Sequence, residues 1–146
     1  MFLDLSTYER FVYGLPDTFR TVRSSTLVLV RHGAAFAELT GTLFFDNEIT
    51  LEVWEDLDFA RGVIAGYSYS VNQRGSRLYW YDPQPHPNDL SLASTHPHHK
   101  HIPPDIKHHR IPAPGMSFSE PNLPYLIREI ELLLSEGNRA AVDDAQ

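Results

Sequence analysis

The stretch VIAGYSYSVNQRGSRLYWY, residues 63–81, decides the fold of this chain. Val63 to Val71 and Arg77 to Tyr81 are runs of strand length, rich in β-branched and aromatic side chains. Between them Asn72-Gln73-Arg74-Gly75 offers a glycine for the positive φ that a tight turn requires. A β-hairpin is predicted. Its aromatic residues, Tyr67, Tyr69, Tyr79, Trp80 and Tyr81, fall on both faces, so one face is set for a helix to cover and the other is free to carry a site.

Upstream, Thr26 to Val30 is a short β-branched apolar run closed by His32-Gly33, where His32 reads as a turn residue. Phe36 to Phe45 and Ile49 to Trp54 form a second hairpin around Asp46-Asn47. Ile49, Leu51 and Val53 alternate with Thr50 and Glu52, the period of a strand with one wet face. The acids Glu52, Glu55, Asp56 and Asp58 lack the spacing of a calcium loop and read as a solvated face. Ser6-Thr7-Tyr8-Glu9 has the form of a capping box for a helix running to about Tyr13, ended by Gly14-Leu15-Pro16. At the other end Leu123, Leu126, Ile127, Ile130, Leu133 and Leu134 recur at helical spacing. That helix is capped near Asn122, is stopped at Gly137 and packs on the sheet, leaving residues 138–146 as a flexible acidic tail. Between hairpin and helix, prolines at 83, 85, 87, 97, 103, 104, 112, 114 and 121 argue against regular structure from Asp82 to Pro121. The expectation is a single α+β domain over residues 1–137, an antiparallel sheet of about five strands flanked by N- and C-terminal helices, with a long Pro/His-rich loop at 82–121.

A chain of 146 residues is of one-domain size, and with no cysteine it has no disulfide framework, thiolate metal site or catalytic thiol. The opening MFLDLSTYERF lacks the basic and apolar regions of a signal peptide, and no apolar run reaches the roughly 20 residues of a membrane span. A cytoplasmic protein without membrane contact is expected. The net charge of −7 hides an asymmetry. From Ala60 to Arg110 six basic residues, Arg61, Arg74, Arg77, Lys100, Lys107 and Arg110, stand against three acids, Asp82, Asp89 and Asp105; elsewhere six basic residues stand against sixteen acids. A cationic face on an acidic body would suit a phosphate-bearing partner.

Seven of the eight histidines, His86, His96, His98, His99, His101, His108 and His109, fall in one stretch of the proline-rich segment. Imidazole both takes and gives a proton near neutral pH. Beside fixed cations, such residues suit phosphoryl chemistry on RNA: one histidine deprotonates a ribose 2′-hydroxyl, another protonates the leaving 5′-oxygen, and lysine or arginine stabilises the phosphorane. The catalytic candidates are His98, His99, His101 and Lys100, with Arg77, His86, His96, Lys107 and Arg110 as substrate contacts. Tyr67, Tyr69, Tyr79 and Trp80 are candidates to stack on bases, with core packing the expected role for at least half of them. This scheme requires no cofactor and assigns no metal ligand.

The block Pro97-His98-His99-Lys100-His101, following a Tyr/Trp-rich strand and the Asp82-x-x-Pro85-His86 step, resembles the P-H-H-K-H signature of TumE-like toxins of bacterial toxin–antitoxin pairs. Tyr67-Ser68-Tyr69 and Tyr79-Trp80-Tyr81-Asp82 are similar to that family's sheet. The resemblance covers roughly Val63 to Glu131 and implies a toxin made with an antitoxin partner and acting on RNA or translation. The more acidic N-terminal half and the extra proline-rich sequence from Ile102 to Met116 depart from that pattern.

Three other readings of the histidine segment stand beside the ribonuclease. It is a solvated polar loop, an interaction module that orders on a partner protein, or a divalent-metal site as in a metal-dependent hydrolase. Alternate residues of an extended segment share a side, so each side offers two imidazoles, and a metal shell would need a further donor from Asp82, His86, His108 or His109.

Overall fold

The computed structural model of the chain describes residues 4–144, with side chains described to residue 138. Helix α1 (Leu5–Tyr13) is followed by a single turn, α2 (Leu15–Thr18), then by β1 (Ser24–Ser25), β2 (Val28–His32), β3 (Phe36–Phe44), β4 (Ile49–Asp58), β5 (Val63–Gln73) and β6 (Ser76–Asp82). A 3₁₀ turn at Leu90–Thr95, β7 (His99–His101), β8 (Arg110–Pro112) and helix α3 (Leu123–Asp144) complete it. The architecture is α+β, with one antiparallel sheet in the order β1-β3-β4-β5-β6-β7-β8, and β2 beside β1 on the free edge of β3.

Both predicted hairpins form. Arg74 and Gly75 take φ of 51° and 80° between the paired Gln73 and Ser76, the all-positive two-residue turn that matches the twist of its strands. Asn47 and Glu48 carry φ of 61° and 59° between β3 and β4. The edge strand is broken at Thr26-Leu27, whose backbone comes so close to Gly41 that a Cβ there would meet the Thr26 carbonyl oxygen at 2.6 Å. Gly41 is therefore required by a close approach of two backbones.

The sheet has eight strands, three more than the sequence suggests. The additional ones are short, and two of them lie in the segment read as a loop. His99–His101 pairs with β6 and Arg110–Pro112 pairs with β7. Prolines 97, 103, 104 and 114 bracket these three-residue strands without interrupting them, and Pro112 sits at a strand end, where its missing donor is tolerated.

One face of the sheet carries the core. Leu51, Val53 and Leu57 of β4, Tyr67, Tyr69 and Val71 of β5, and Tyr79 and Tyr81 of β6 pack with Tyr8 and Val12 of α1 and Leu123, Leu126, Ile127 and Ile130 of α3. The amphipathic stripe of α3 thus lies on the sheet as its spacing requires. Two helix boundaries differ from expectation. Asp4 is the N-cap of α1, accepting from the Thr7 amide at 2.9 Å, and Ser6 lies inside the helix; a carboxylate one turn earlier takes the role read for the Ser6–Glu9 box. Helix α3 runs through Gly137 to Asp144, because Gly137 does not adopt the left-handed conformation that ends a helix, and an interior glycine costs only about 1 kcal/mol relative to alanine. Among the described residues no helix is long and apolar enough to cross a membrane.

Candidate functional site

Strand pairing brings the site together. Asp82 lies opposite His99, Tyr81 opposite Lys100, and Trp80 opposite His101; His99 and His101 in turn face Pro112 and Arg110 of β8. Side chains alternate across a strand, so β7 divides its three residues between two environments.

Lys100 turns to the helix side. Its Nζ lies 3.0 Å from Glu129 Oε2 of α3 and 4.1 Å from the Tyr79 ring centre, and Glu129 also accepts from the Tyr81 hydroxyl at 2.8 Å. The positive charge is thereby committed to packing α3 onto β6. His98, just before the strand, pairs through Nδ1 with the Tyr67 hydroxyl at 2.5 Å and packs between the Tyr67 and Phe118 rings. Burial, and next the charge of His99, hold the His98 imidazole below its ordinary pKa.

His99 and His101 turn to the opposite face together with Asp82 and Trp80. His99 Nε2 lies 2.5 Å from Asp82 Oδ1 and 3.0 Å from His101 Nε2, while His101 Nε2 lies 3.5 Å from Asp82 Oδ2. Both imidazoles are anchored behind: His99 Nδ1 to the Pro97 carbonyl at 3.2 Å and His101 Nδ1 to the Ile106 carbonyl at 3.0 Å. The His101 ring stacks on Trp80 with centroids 3.9 Å apart, and the Arg77 guanidinium sits over the Trp80 ring, 4.9 Å from its centre, while donating to Ser70 Oγ. His86 meets His99 edge to face at 4.7 Å. His99 and His101 are almost fully buried, whereas Asp82 and His86 are partly open.

The electrostatics follow from these contacts. Burial pushes the Asp82 carboxyl up, but the hydrogen bond and charge of His99, the Gln84 amide and the charge of His101 together hold it below the ordinary value. Burial lowers His101, partly opposed by Asp82. Burial and the charge of Arg110 lower His86. His86 Nε2 and Arg110 Nε are buried without a hydrogen-bond partner, an unusual pair of orphaned polar atoms at one edge of the cluster.

Of the residues singled out from the sequence, His99, His101, His86, Arg77 and Arg110 therefore gather on one face, and His98 and Lys100 are on the other. His96 lines an open cavity of about 340 Å³ with His86, Asp89 and Leu90. Lys107, His108 and His109 are exposed in the turn between β7 and β8; His108 pairs with Asp105 and His109 with the Pro103 carbonyl. Of the aromatic candidates, Tyr67, Tyr69 and Tyr79 are core, and Trp80 stands on the site's face.

Two residues carry more than their sequence reading granted. Asp82 becomes the carboxylate of the cluster through its pairing with His99. Glu55, read with a solvated acidic face, is fully buried, and Asp58 is buried too. Glu55 accepts from the Tyr8 hydroxyl and, at 2.5 Å, from Tyr69, whose oxygen accepts from Asn122 Nδ2 at 3.1 Å. Burial raises its pKa above the ordinary value against these two donors. The signal was present: Glu55 is in phase with Leu51, Val53 and Leu57, the inward positions of β4.

The family model for toxin TumE matches residues 14–134, which takes in every strand, the histidine segment and the packed part of α3. The chain belongs to the TumE toxin family. It is thus the toxin component of a toxin–antitoxin system, and an antitoxin is its implied partner. No curated protein and no solved structure matches it. Within this TumE-family toxin the P-H-H-K-H block is β7 with the two residues that lead into it, so the motif is spread over both faces of a sheet edge.

Proposed function

We propose that this toxin is an endoribonuclease whose reaction centre is the Asp82–His99–His101 cluster. The observation that carries the reading is the convergence of one carboxylate and two imidazoles beside an aromatic ring and unshared cationic side chains. Trp80 carries the His101 ring and lies under the Arg77 guanidinium, so its part is to fix that imidazole and that cation at the site. Arg77 and Arg110 supply the positive charge that a phosphate diester needs on an otherwise acidic protein.

In-line cleavage by the neighbouring 2′-hydroxyl needs one group to take that proton and another, on the far side of the phosphorus, to give one to the 5′-oxygen. His99 Nε2 and His101 Nε2 lie 3.0 Å apart and serve the same side of such a phosphate. Asp82 orients that pair and supports the charge it gains. His86 packs against His99 from the 83–89 segment and is the second proton carrier. Lys100 and His98 take no part in proton transfer here; they hold the strand from behind.

The test is growth of a host expressing wild type, Asp82→Asn, His101→Ala and Lys100→Met chains, with total RNA resolved from the same cultures. Growth arrest with RNA breakdown is expected for wild type and Lys100→Met and is lost in the other two while they remain folded. Arrest with intact RNA in wild type would move the target away from RNA.

A further inference from the structure

We propose that Asp82, His99 and His101 form a binding site for one first-row divalent metal ion of the zinc type. Their donor atoms all lie within 4.8 Å of one another. The argument rests on where the ring protons are. A backbone carbonyl only accepts hydrogen bonds, so the contacts of His99 Nδ1 with Pro97 O and of His101 Nδ1 with Ile106 O put the proton of each neutral ring on Nδ1. With both rings neutral the Nε2 atoms are bare lone pairs 3.0 Å apart, and without an ion it is a proton on His99 Nε2, shared with Asp82, that stands between one pair of these atoms. The Asp82 carboxylate adds its own lone pairs at 2.5 and 3.5 Å. Three acceptors facing one another repel unless a cation stands between them. A proton bridges one pair of atoms, whereas a metal ion satisfies all three at once.

The dimensions agree. Donors at about 2.0–2.1 Å from a tetrahedral zinc ion are about 3.3 Å apart; the two imidazole nitrogens here are 3.0 Å apart, and Asp82 meets them with different oxygens, Oδ1 at 2.5 Å from His99 and Oδ2 at 3.5 Å from His101. Imidazole Nδ1–H bound to a main-chain carbonyl is the usual outer support of a metal-ligating histidine, fixing both tautomer and ring orientation. Trp80 beneath His101 and the His86 edge against His99 restrict the same rings further. Two imidazoles and one carboxylate select zinc and its neighbours over magnesium or calcium, which take oxygen ligands. Three protein ligands leave a fourth position for water or a phosphate oxygen, the arrangement of a catalytic site.

Binding of the ion is independent of the ribonuclease reading; only its consequence rests on it, namely that an ion held here would supply the polarised water and the charge stabilisation otherwise asked of free histidines. The exposed His96, His108 and His109 are a separate, weaker source of metal capture.

The experiment is calorimetric titration of the untagged full chain, stripped with chelator and dialysed, with Zn²⁺ and in parallel with Mg²⁺. One Zn²⁺ per chain is expected, with no comparable Mg²⁺ binding. Asp82→Asn and His101→Ala should weaken that event by roughly 100-fold or more, and the triple replacement of His96, His108 and His109 by Ala should leave it intact. Since a variant of a buried histidine can fail to fold, the visible spectrum of Co²⁺-loaded wild type is read as well. Intense tetrahedral bands support the site, and an octahedral spectrum overturns it. Binding that vanishes with the exposed histidines and survives Asp82→Asn also overturns it. One-to-one zinc binding without RNA cleavage would leave this inference standing and remove the ribonuclease; RNA cleavage by chelator-treated protein that binds no zinc would do the reverse.

Discussion

Two carboxylates of this molecule are surrounded on opposite faces of the same sheet, and they have different kinds of partner. Glu55 is sealed between α1 and the sheet, where its partners are the tyrosines Tyr8 and Tyr69. Both hydroxyls are driven well above their ordinary pKa, by burial first and by Glu55 itself next, so their protons stay where they are. Asp82, at the edge, is partnered by the imidazoles of His99 and His101. A buried acid among donors that never let go is a structural joint. One beside two imidazoles is the group that our proposals put to use.

Removing the second carboxylate's charge should have the largest effect. Asp82→Asn is nearly isosteric, yet it is expected to reduce RNA cleavage by about 10²–10⁴-fold, the range for loss of positioned acid–base assistance, with the melting temperature little changed; a purified-protein cleavage assay beside a thermal melt checks this. Equal loss of activity in Glu55→Gln would erase the contrast between the two acids.

Glu55→Ala is expected to act on stability. It leaves two buried hydroxyls without an acceptor and opens a gap, a combined cost of about 2–5 kcal/mol, readable as a lower urea midpoint at unchanged slope. Cleavage per folded molecule should remain within a few-fold of wild type.

Lys100→Met tests whether the middle residue of β7 belongs to the helix face. It removes one side of a largely buried pair with Glu129, which keeps the Tyr81 hydroxyl as a partner, and should cost about 1–3 kcal/mol, while toxicity persists. A loss of cleavage as deep as that of Asp82→Asn would return Lys100 to the reaction centre.

The smallest effect is a change of slope. The Glu55 pKa is raised in the folded chain, chiefly by burial, so the protonated acid is the form the fold prefers. Its contribution to stability is complete below the ordinary glutamate value and fades as pH rises through the folded value. Relative to Glu55→Gln, which does not titrate, the wild type should therefore lose stability between mildly acidic and neutral pH; melts of both proteins across that range measure it. A constant difference would mean that Glu55 ionises in the fold as easily as in the unfolded chain.

Much of the scaffold was legible in the sequence because short-range rules govern it. Period-two alternation marked β4, Gly75 marked the β5–β6 turn, and helical spacing from Leu123 to Leu134 marked the face of α3 that meets the sheet. Proline density misled, since each proline was counted as breaking the chain locally while the strands between them are only three residues long. Glu55 was misread because a charged side chain was assigned to solvent by type, although its phase along β4 pointed inward.

The candidate site divides in the same way. The residue types, the concentration of seven histidines in one segment and the resemblance to a toxin family were determined by sequence alone, because each is a property of neighbours along the chain. Only the tertiary structure decided which histidines lie together. Pairing of β7 with β6 is a long-range event, and its register sets Asp82 against His99 and Trp80 against His101. The alternation of side chains across that paired strand then sends Lys100 to the helix and leaves the two imidazoles to the carboxylate.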